Sequence, residues 1–109
     1  KVEGYVFIRS WPHEGIERFK MEVHGLAPGT EVAFEIQDPE KPDQWTLLGT
    51  RAAGETGKAL YDTAEQDLPL PLDVETVAKL VGLKVRVRFA GDGKDDVILS
   101  GKVPELVKT

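Results

Sequence analysis

Hydrophobic and polar residues alternate along three stretches of the chain, which is the pattern of a β-strand with one buried and one solvated face. The stretches are Glu17–Val23, Glu31–Gln37 and Lys84–Phe89, and a Gly-Leu-Ala-Pro-Gly turn at 25–29 joins the first two. Their apolar faces carry Phe19, Met21, Val23, Val32, Phe34, Ile36, Val85, Val87 and Phe89. Strands with one polar face favour antiparallel sheets, because parallel strands are usually covered by helices on both faces.

Four further segments are predicted to be strands, which makes about seven in all. They are Val2–Arg9, Trp45–Arg51, Lys58–Thr63 and Val97–Val103, with glycine-containing turns at 52–57 and 91–93. Val2–Arg9 is apolar on both faces, so we expect a loop or a neighbouring subunit to cover its outer face.

One segment has a helical period instead. Asp73 is a candidate N-cap after two prolines, Glu75 suits the positive end of a helix, and Gly82 follows the last apolar position. The sequence therefore predicts a short helix over residues 73–81 that crosses between two sheets. Many short strands and one crossover segment indicate a β-sandwich or a small Greek-key barrel. The fold class that we expect is an all-β, antiparallel Greek-key β-sandwich, immunoglobulin-like, in a single domain over residues 1–109.

The balance of charge narrows the class of partner. The 14 basic and 19 acidic residues give a net charge of −5, which argues against a nucleic-acid-binding protein. No run of about 18 apolar residues is present, so no membrane span is predicted. The lack of cysteine excludes disulfides and thiolate sites but leaves the compartment open. Because the chain begins at Lys1 rather than Met, we expect a processed protein or a domain of a larger one.

The two histidines, His13 and His24, are the first candidates for a metal site or for acid–base chemistry. A site that used both would require the hairpin between their strands to bring them together. Met21 lies on the opposite face from His24 and cannot complete such a site. We therefore expect two solvated histidines, a methionine in the core, and no metal or other cofactor.

Acidic residues cluster in two loops, which raises the question of calcium binding. The clusters are Asp38, Glu40 and Asp43 in one loop and Asp92, Asp95 and Asp96 in the other. Neither has the spacing of the calcium-loop motif, in which alternating ligands precede a glycine and a distant glutamate. Turn formation by Asp-Pro and Asp-Gly is the favoured interpretation, with calcium as the alternative.

Catalytic motifs are missing from the sequence: it has no nucleophile elbow, phosphate-binding loop or dinucleotide fingerprint. Thr46, Thr50 and Ser100 lie on outward strand faces with no histidine predictable beside them. The sequence thus predicts a protein that is not an enzyme.

The outward residues Lys84, Arg86 and Arg88 form a basic stripe on one predicted strand. We expect a solvated strand face in which these cations pair across strands with Glu31 and Glu35, and the alternative is an acidic partner.

Trp11 and Trp45 both border loops and form the candidate ligand platform, because exposed aromatic rings on a β-sandwich can stack on sugars. The alternative is that both indoles cap the core, since a chain with few aromatic residues needs them inside.

The turn at 25–29 and the strands before it carry a resemblance to known families. Residues 2–37 resemble the first third of copper/zinc superoxide dismutase-like and CHRD-type sandwiches, beginning with Val2-Glu3-Gly4-Tyr5-Val6-Phe7. In those families the strand after the turn carries a His-x-His metal pair. This chain has Phe34-Glu35-Ile36-Gln37 there, so the resemblance does not imply the metal activity.

The same turn also resembles the Leu-x-Pro-x-Thr corner of fibronectin type III domains. Here it reads Leu26-Ala27-Pro28-Gly29-Thr30, with Val32 in the place of the corner tyrosine, and it comes early in the domain rather than late. Both resemblances imply a Greek-key sandwich of extracytoplasmic type, and neither implies an activity.

The predicted function is that of a non-catalytic module for adhesion, assembly or ligand presentation, located in a secreted, periplasmic or cell-surface protein. Its expected partner is a protein or a polysaccharide. The alternatives are a carbohydrate-binding module that uses Trp11 and Trp45, and a divergent metal-binding sandwich.

Overall fold

The computed structural model describes residues 2–90 and 97–105, which form seven strands in two antiparallel sheets. The strands are β1 (Glu3–Trp11), β2 (Ile16–His24), β3 (Glu31–Gln37), β4 (Trp45–Ala52), β5 (Ala59–Asp62), β6 (Lys84–Phe89) and β7 (Val97–Lys102). One sheet has the order β1-β2-β5 and the other the order β4-β3-β6-β7. The prediction of an all-β protein with two antiparallel sheets is confirmed.

The core lies between the two sheets and contains the residues that alternation predicts to point inward. Phe19 on β2 and Phe34 on β3 are fully buried. The ring of Tyr61 on β5 lies between them, with centroids 6.3 Å from Phe19 and 6.1 Å from Phe34. Met21 is also buried, as expected for a core methionine. Aromatic rings from both sheets thus pack against one another and fill the centre of the core.

The outer face of β1 differs from the sequence expectation. No described segment covers it, and Tyr5 and Trp11 are each 47% exposed. Instead of a loop, the cationic side chains of Arg9, Arg18 and Lys20 lie against its aromatic rings. Within the described residues of the single chain, the outer face of β1 is therefore an exposed aromatic row, and its cover by a neighbouring subunit stays a prediction.

Glu35 on β3 also departs from the expectation of a solvated face. Its side chain is only 8% exposed, because Arg86 and Arg88 of β6 lie over it with Nε atoms 2.7 and 3.1 Å from its carboxylate. The cross-strand pairing of this glutamate with the basic stripe is confirmed. The charges are nevertheless part of a largely buried cluster, since the two arginine side chains exclude water from the carboxylate.

The segment between β5 and β6 crosses from one sheet to the other, as predicted, but its structure is two short 3₁₀ turns instead of one helix over 73–81. The turns are Pro71–Asp73 and Val77–Leu80. Asp73 does not serve as the helix N-cap, because it lies in the left-handed region with φ 55°. Thr76 takes the capping position of the second turn, where its hydroxyl accepts a hydrogen bond from the Ala78 N–H. Local backbone geometry therefore interrupts the helical period.

Two sequence predictions concern residues 91–96: the second acidic cluster and the glycine-containing turn. Asp92, Asp95 and Asp96, and the turn Gly91-Asp92-Gly93, lie outside the described residues. Within 2–90 and 97–105, none of the helical segments has the length and apolar character needed to cross a membrane.

Candidate functional site

The outer face of the β1–β2 hairpin carries a continuous row of aromatic and cationic side chains. Alternate residues of a strand share a face, and directly opposed residues of an antiparallel pair point to the same side. The register opposes Trp11 to Ile16, Arg9 to Arg18, Phe7 to Lys20 and Tyr5 to Glu22. We call this surface the hairpin face and define it by Tyr5, Phe7, Arg9, Trp11, Ile16, Arg18, Lys20 and Glu22.

Each aromatic ring of the hairpin face is held against a cation. The Arg9 guanidinium lies between two rings, with its Cζ 5.4 Å from the Phe7 centroid and 4.9 Å from the Trp11 centroid. Lys20 Nζ lies 5.4 Å from the Tyr5 centroid. Such contacts hold flexible side chains in defined positions. The face is consequently an ordered surface on rigid strands, which is a favourable basis for binding.

Arg18 is paired within the protein. Its guanidinium binds both carboxylate oxygens of fully buried Asp62 on β5, with Nε 3.1 Å from Oδ1. This hydrogen bond, helped by the backbone N–H groups of Ala64 and Glu65, holds the pKa of Asp62 below its usual value. The same partner raises the pKa of Arg18. Arg18 is therefore engaged in holding β5 to β2.

Glu22 is the centre of a second charge cluster, at the end of the hairpin face away from Trp11. Its carboxylate, 10% exposed, lies 2.5 Å from His24 Nε2, 3.7 Å from Lys20 Nζ and 3.9 Å from Lys58 Nζ. Burial acts to raise the pKa of Glu22, but hydrogen bonds from His24 and Tyr5 and the Lys20 charge outweigh it and lower the pKa. The carboxylate is thus kept ionised and compensated.

Arg9 differs from Arg18 and Lys20, which both lie near a carboxylate. Among residues 2–90 and 97–105, no carboxylate lies within ion-pair distance of its guanidinium, and the side chain is exposed. Its contacts are the two aromatic rings, so its N–H donors point to no protein acceptor in that part of the chain. Arg9 is the position on the hairpin face where an external anion would be bound most directly.

The two tryptophans predicted as a platform lie on different sheets. Trp11 is on the hairpin face, whereas Trp45 lies on the outer face of the four-stranded sheet, opposite Gln37. Arg86 covers Trp45, with its Cζ 4.1 Å from the ring centroid. The structure therefore does not bring the two indoles together into one platform, and Trp11 is the more exposed of them.

The two histidines are also held apart. His13 lies in the 3₁₀ turn between β1 and β2, and His24 is the last residue of β2. The nine residues from Ile16 to His24 span about 27 Å of strand. No group of three or more His, Cys, Asp or Glu side chains suited to a metal ion occurs in the described ranges.

The acidic loop at 38–43 has the structure of a turn. Asp38 Oδ1 accepts hydrogen bonds from the backbone N–H groups of Glu40 and Lys41 at 2.8 and 3.2 Å. This is the turn-forming use of aspartate that the sequence favours over calcium binding.

A cleft of about 230 Å³ opens between the two sheets, on the side where β1 and β7 form the edges. Its lining is mainly apolar and includes Gly4 and Val6 of β1, Met21 of β2, Val87 of β6 and Leu99 of β7. The cleft thus adjoins the hairpin face along the edge of β1.

Sequence reasoning finds only Trp11 of the hairpin face and none of the cleft. The sequence signal for Tyr5 and Phe7 is that β1 carries apolar residues on both of its faces, a pattern that predicts a covered strand. Alternation along β1 places Arg9 beside Phe7 and Trp11, but the lack of an acidic partner for Arg9 among the described residues, and the cleft, depend on strand register and on the order of strands in the sheets.

Comparison of the chain with protein-family models, with curated proteins and with solved structures finds no match in any of the three.

Proposed function

We propose that this domain is a non-catalytic binding module that serves adhesion, assembly or ligand presentation, and that it binds through the hairpin face. The observation that carries the proposal is the exposure of large apolar side chains together on one rigid surface. Tyr5 and Trp11 are 47% exposed and Ile16 is 38% exposed, and Arg9 lies among them. Tyrosine, tryptophan and arginine are the residues most enriched at binding hot spots.

The strand arrangement supports the architectural part of the proposal, a Greek-key sandwich of immunoglobulin-like type. Strands β1, β2 and β5 form one sheet, and β3, β6 and β7 lie together in the other with β4 at the edge. Sandwiches of this type often belong to cell-surface domains, so the proposal includes a secreted, periplasmic or cell-surface location.

A carbohydrate-binding module is the second candidate, and the exposure of Trp11 favours it. One side of the Trp11 ring is occupied by Arg9, and 47% of the residue remains open to solvent. The hydroxyl groups of a sugar ring stacked on that indole would at the same time donate hydrogen bonds to nearby polar atoms. In this form of the proposal Trp11 alone, and not Trp45, provides the aromatic platform.

Peptide and glycan arrays probed with the labelled domain test the proposal. Trp11→Ala is expected to abolish binding of the ligand, because it removes the larger of the two most exposed rings of the face. Leu47→Ala is the matched control, since Leu47 is 53% exposed but lies on the four-stranded sheet. Loss of binding in Leu47→Ala with retention in Trp11→Ala would place the site elsewhere. Failure of the domain to bind any peptide or glycan would contradict the proposal as a whole.

A further inference from the structure

Strand β1 is the edge of its sheet over its whole length. It pairs with β2 on one side, and no backbone hydrogen bond of the described residues joins its other side to a further strand. Nine residues in extended conformation span about 27 Å between their ends. An edge of this length presents a row of N–H and C=O groups that can pair with another extended chain.

A cleft lies next to this edge of β1. The sheet that contains β1 has three strands and faces a sheet of four, and the cleft of about 230 Å³ opens where β1 and β7 form the two edges. A strand added beside β1 would extend the shorter sheet. Its inward side chains would point toward the cleft, whose walls near the edge include Val6 and Leu99. Apolar inward side chains would therefore be buried on binding.

The hairpin face specifies the outward side chains of the added strand. Residues opposed across two paired strands lie about 4.5 to 5.5 Å apart at Cβ. An acidic side chain opposite Arg9 would meet a guanidinium that two rings hold in place and that has no carboxylate partner in the described part of the chain. The outward positions two residues away on either side would lie beside Phe7 and Trp11 and suit apolar side chains.

The charges favour one carboxylate rather than a polyanion. Arg18 is already paired with Asp62, and Lys20 lies near Glu22, so Arg9 is the cation of this face that lacks an acidic partner among the described residues. The chain as a whole carries a net charge of −5, which repels a highly charged polyanion at long range. A peptide with one acidic residue between apolar ones is the better complement.

We propose that the free edge of β1 binds an extended peptide segment of a partner protein as an added strand. One Asp or Glu of that segment lies beside Arg9, apolar residues two positions away lie beside Phe7 and Trp11, and an inward apolar residue enters the cleft near Val6. The proposal rests on the binding function of the hairpin face and names its ligand class. Main-chain hydrogen bonds supply affinity, and the alternate side chains supply specificity.

A palindromic peptide tests the proposal without knowledge of strand direction. The probe is acetyl-Thr-Val-Val-Thr-Glu-Thr-Val-Val-Thr-amide, and the matched control has Gln in place of the central Glu. Each is titrated into ¹⁵N-labelled protein, with the backbone signals of β1 and the indole N–H of Trp11 as reporters. We expect the Glu peptide to bind at least about tenfold more tightly, because a charge-assisted hydrogen bond is lost with Gln.

Two protein variants locate the effect. In Arg9→Gln the preference for the Glu peptide is expected to disappear, whereas Lys102→Gln, an exposed cation on β7, is expected to behave as the wild type. Two N-methylated forms of the Glu peptide test the added strand. One form is methylated at the Thr on each side of Glu, and the other at the next Val on each side. We expect one form to lose binding and the other to keep it, because alternate N–H groups point to opposite edges of a strand.

Three outcomes would overturn the proposal. Equal affinity for the Glu and Gln peptides, or no binding of the Glu peptide at millimolar concentration, would remove the acidic-peptide ligand. Binding of polygalacturonate that depends on Arg9, without peptide binding, would identify an acidic polysaccharide instead. Dimerisation of the protein through β1, seen in sedimentation and lost in Arg9→Gln, would make a second copy the occupant. In each case, a ligand found on the peptide or glycan arrays whose binding is lost in Trp11→Ala would still support the proposed binding function.

Discussion

At the scale of single residues, Glu35 shows how neighbours change the environment that a strand position predicts. It lies on the polar face of β3, yet Arg86 and Arg88 lie over its carboxylate and leave the side chain 8% exposed. The glutamate is therefore a largely buried charge that depends on two partners. Removal of such a charge affects stability more than removal of a solvated one.

Substitutions along β3 test this environment. Phe34→Ala is expected to lower the free energy of unfolding by about 3 to 5 kcal/mol, because it leaves a cavity at a fully buried site. Glu35→Ala is expected to cost about 1 to 3 kcal/mol through loss of its charged hydrogen bonds. Glu31→Ala, an exposed control on the same strand face, is expected to cost under about 0.5 kcal/mol. Denaturant unfolding measures all three, and equal values for Glu35→Ala and Glu31→Ala would contradict the buried cluster.

Asp62 gives a residue-scale prediction for pH. Its pKa is held low in the folded protein, chiefly by the hydrogen bond from Arg18, so on acidification the unfolded chain takes up the proton first. The contribution is therefore complete above the ordinary aspartate pKa of about 3.9 and is lost as the pH falls through the folded pKa. Asp62→Asn should lower stability at pH 7 and flatten its decline below about pH 4.

Thermal melts between pH 2 and pH 7 measure this effect. Asp43→Asn is the control, because Asp43 is exposed in the loop before β4 and makes none of the Asp62 contacts. If Asp62→Asn kept the full pH dependence of the wild type, the Arg18 pair would not be its source.

At the scale of elements, two turns hold the sheets together at one end of the sandwich. The turn between β2 and β3 bonds to the turn between β4 and β5, with Leu26 N donating to Gly57 O at 3.1 Å and Gly29 N to Ala53 O at 2.8 Å. Leu26 is buried at this contact. The Gly-Leu-Ala-Pro-Gly turn thus has a structural role that does not depend on either family it resembles.

Gly57 is the sensitive position of this contact. It has φ +80°, and a Cβ there would lie 2.5 Å from the carbonyl oxygen of Leu26. Gly57→Ala is expected to lower the free energy of unfolding by at least about 2 kcal/mol, because it adds left-handed strain to a backbone clash. Gly54→Ala has open space and is expected to leave stability unchanged or raise it by up to about 1 kcal/mol. Similar losses for both variants in denaturant unfolding would show that the two turns do not pack closely.

At the scale of the whole molecule, the hairpin separates the groups that a metal site would need together. His13 lies at its turn and His24 at its far end, beside Glu22. A ligand bound by the native state must raise its stability, by roughly 2.7 kcal/mol at a hundred times Kd. Stoichiometric copper or zinc is therefore expected to leave the melting temperature unchanged.

Differential scanning calorimetry with and without each metal tests this expectation. A large upward shift that is abolished in a His13→Ala, His24→Ala double variant, and retained when Met21 is replaced by Leu, would establish a histidine metal site and contradict the prediction.

The sequence by itself determined the features that depend on local period. Alternation of two residues placed Phe19, Phe34 and Val87 in the core and predicted two antiparallel sheets, because each strand has one face that must leave water. The pairing of Glu35 with Arg86 and Arg88 also followed from parity. The crossover between sheets was predicted in position but not in form, since left-handed residues within 71–80 interrupt the helical period.

Only the tertiary structure decided the surface chemistry. Extension of β1 as far as Trp11 places Arg9 between Phe7 and Trp11 on one face of a single strand, and strand register engages Arg18 of β2 with Asp62 of β5. Strand order leaves β1, beside the cleft, with no hydrogen-bonded strand on its second side among the described residues. The alternation of residues along a strand does not determine which segments lie beside it or over its outer face. That environment depends on contacts between residues that are far apart in the sequence.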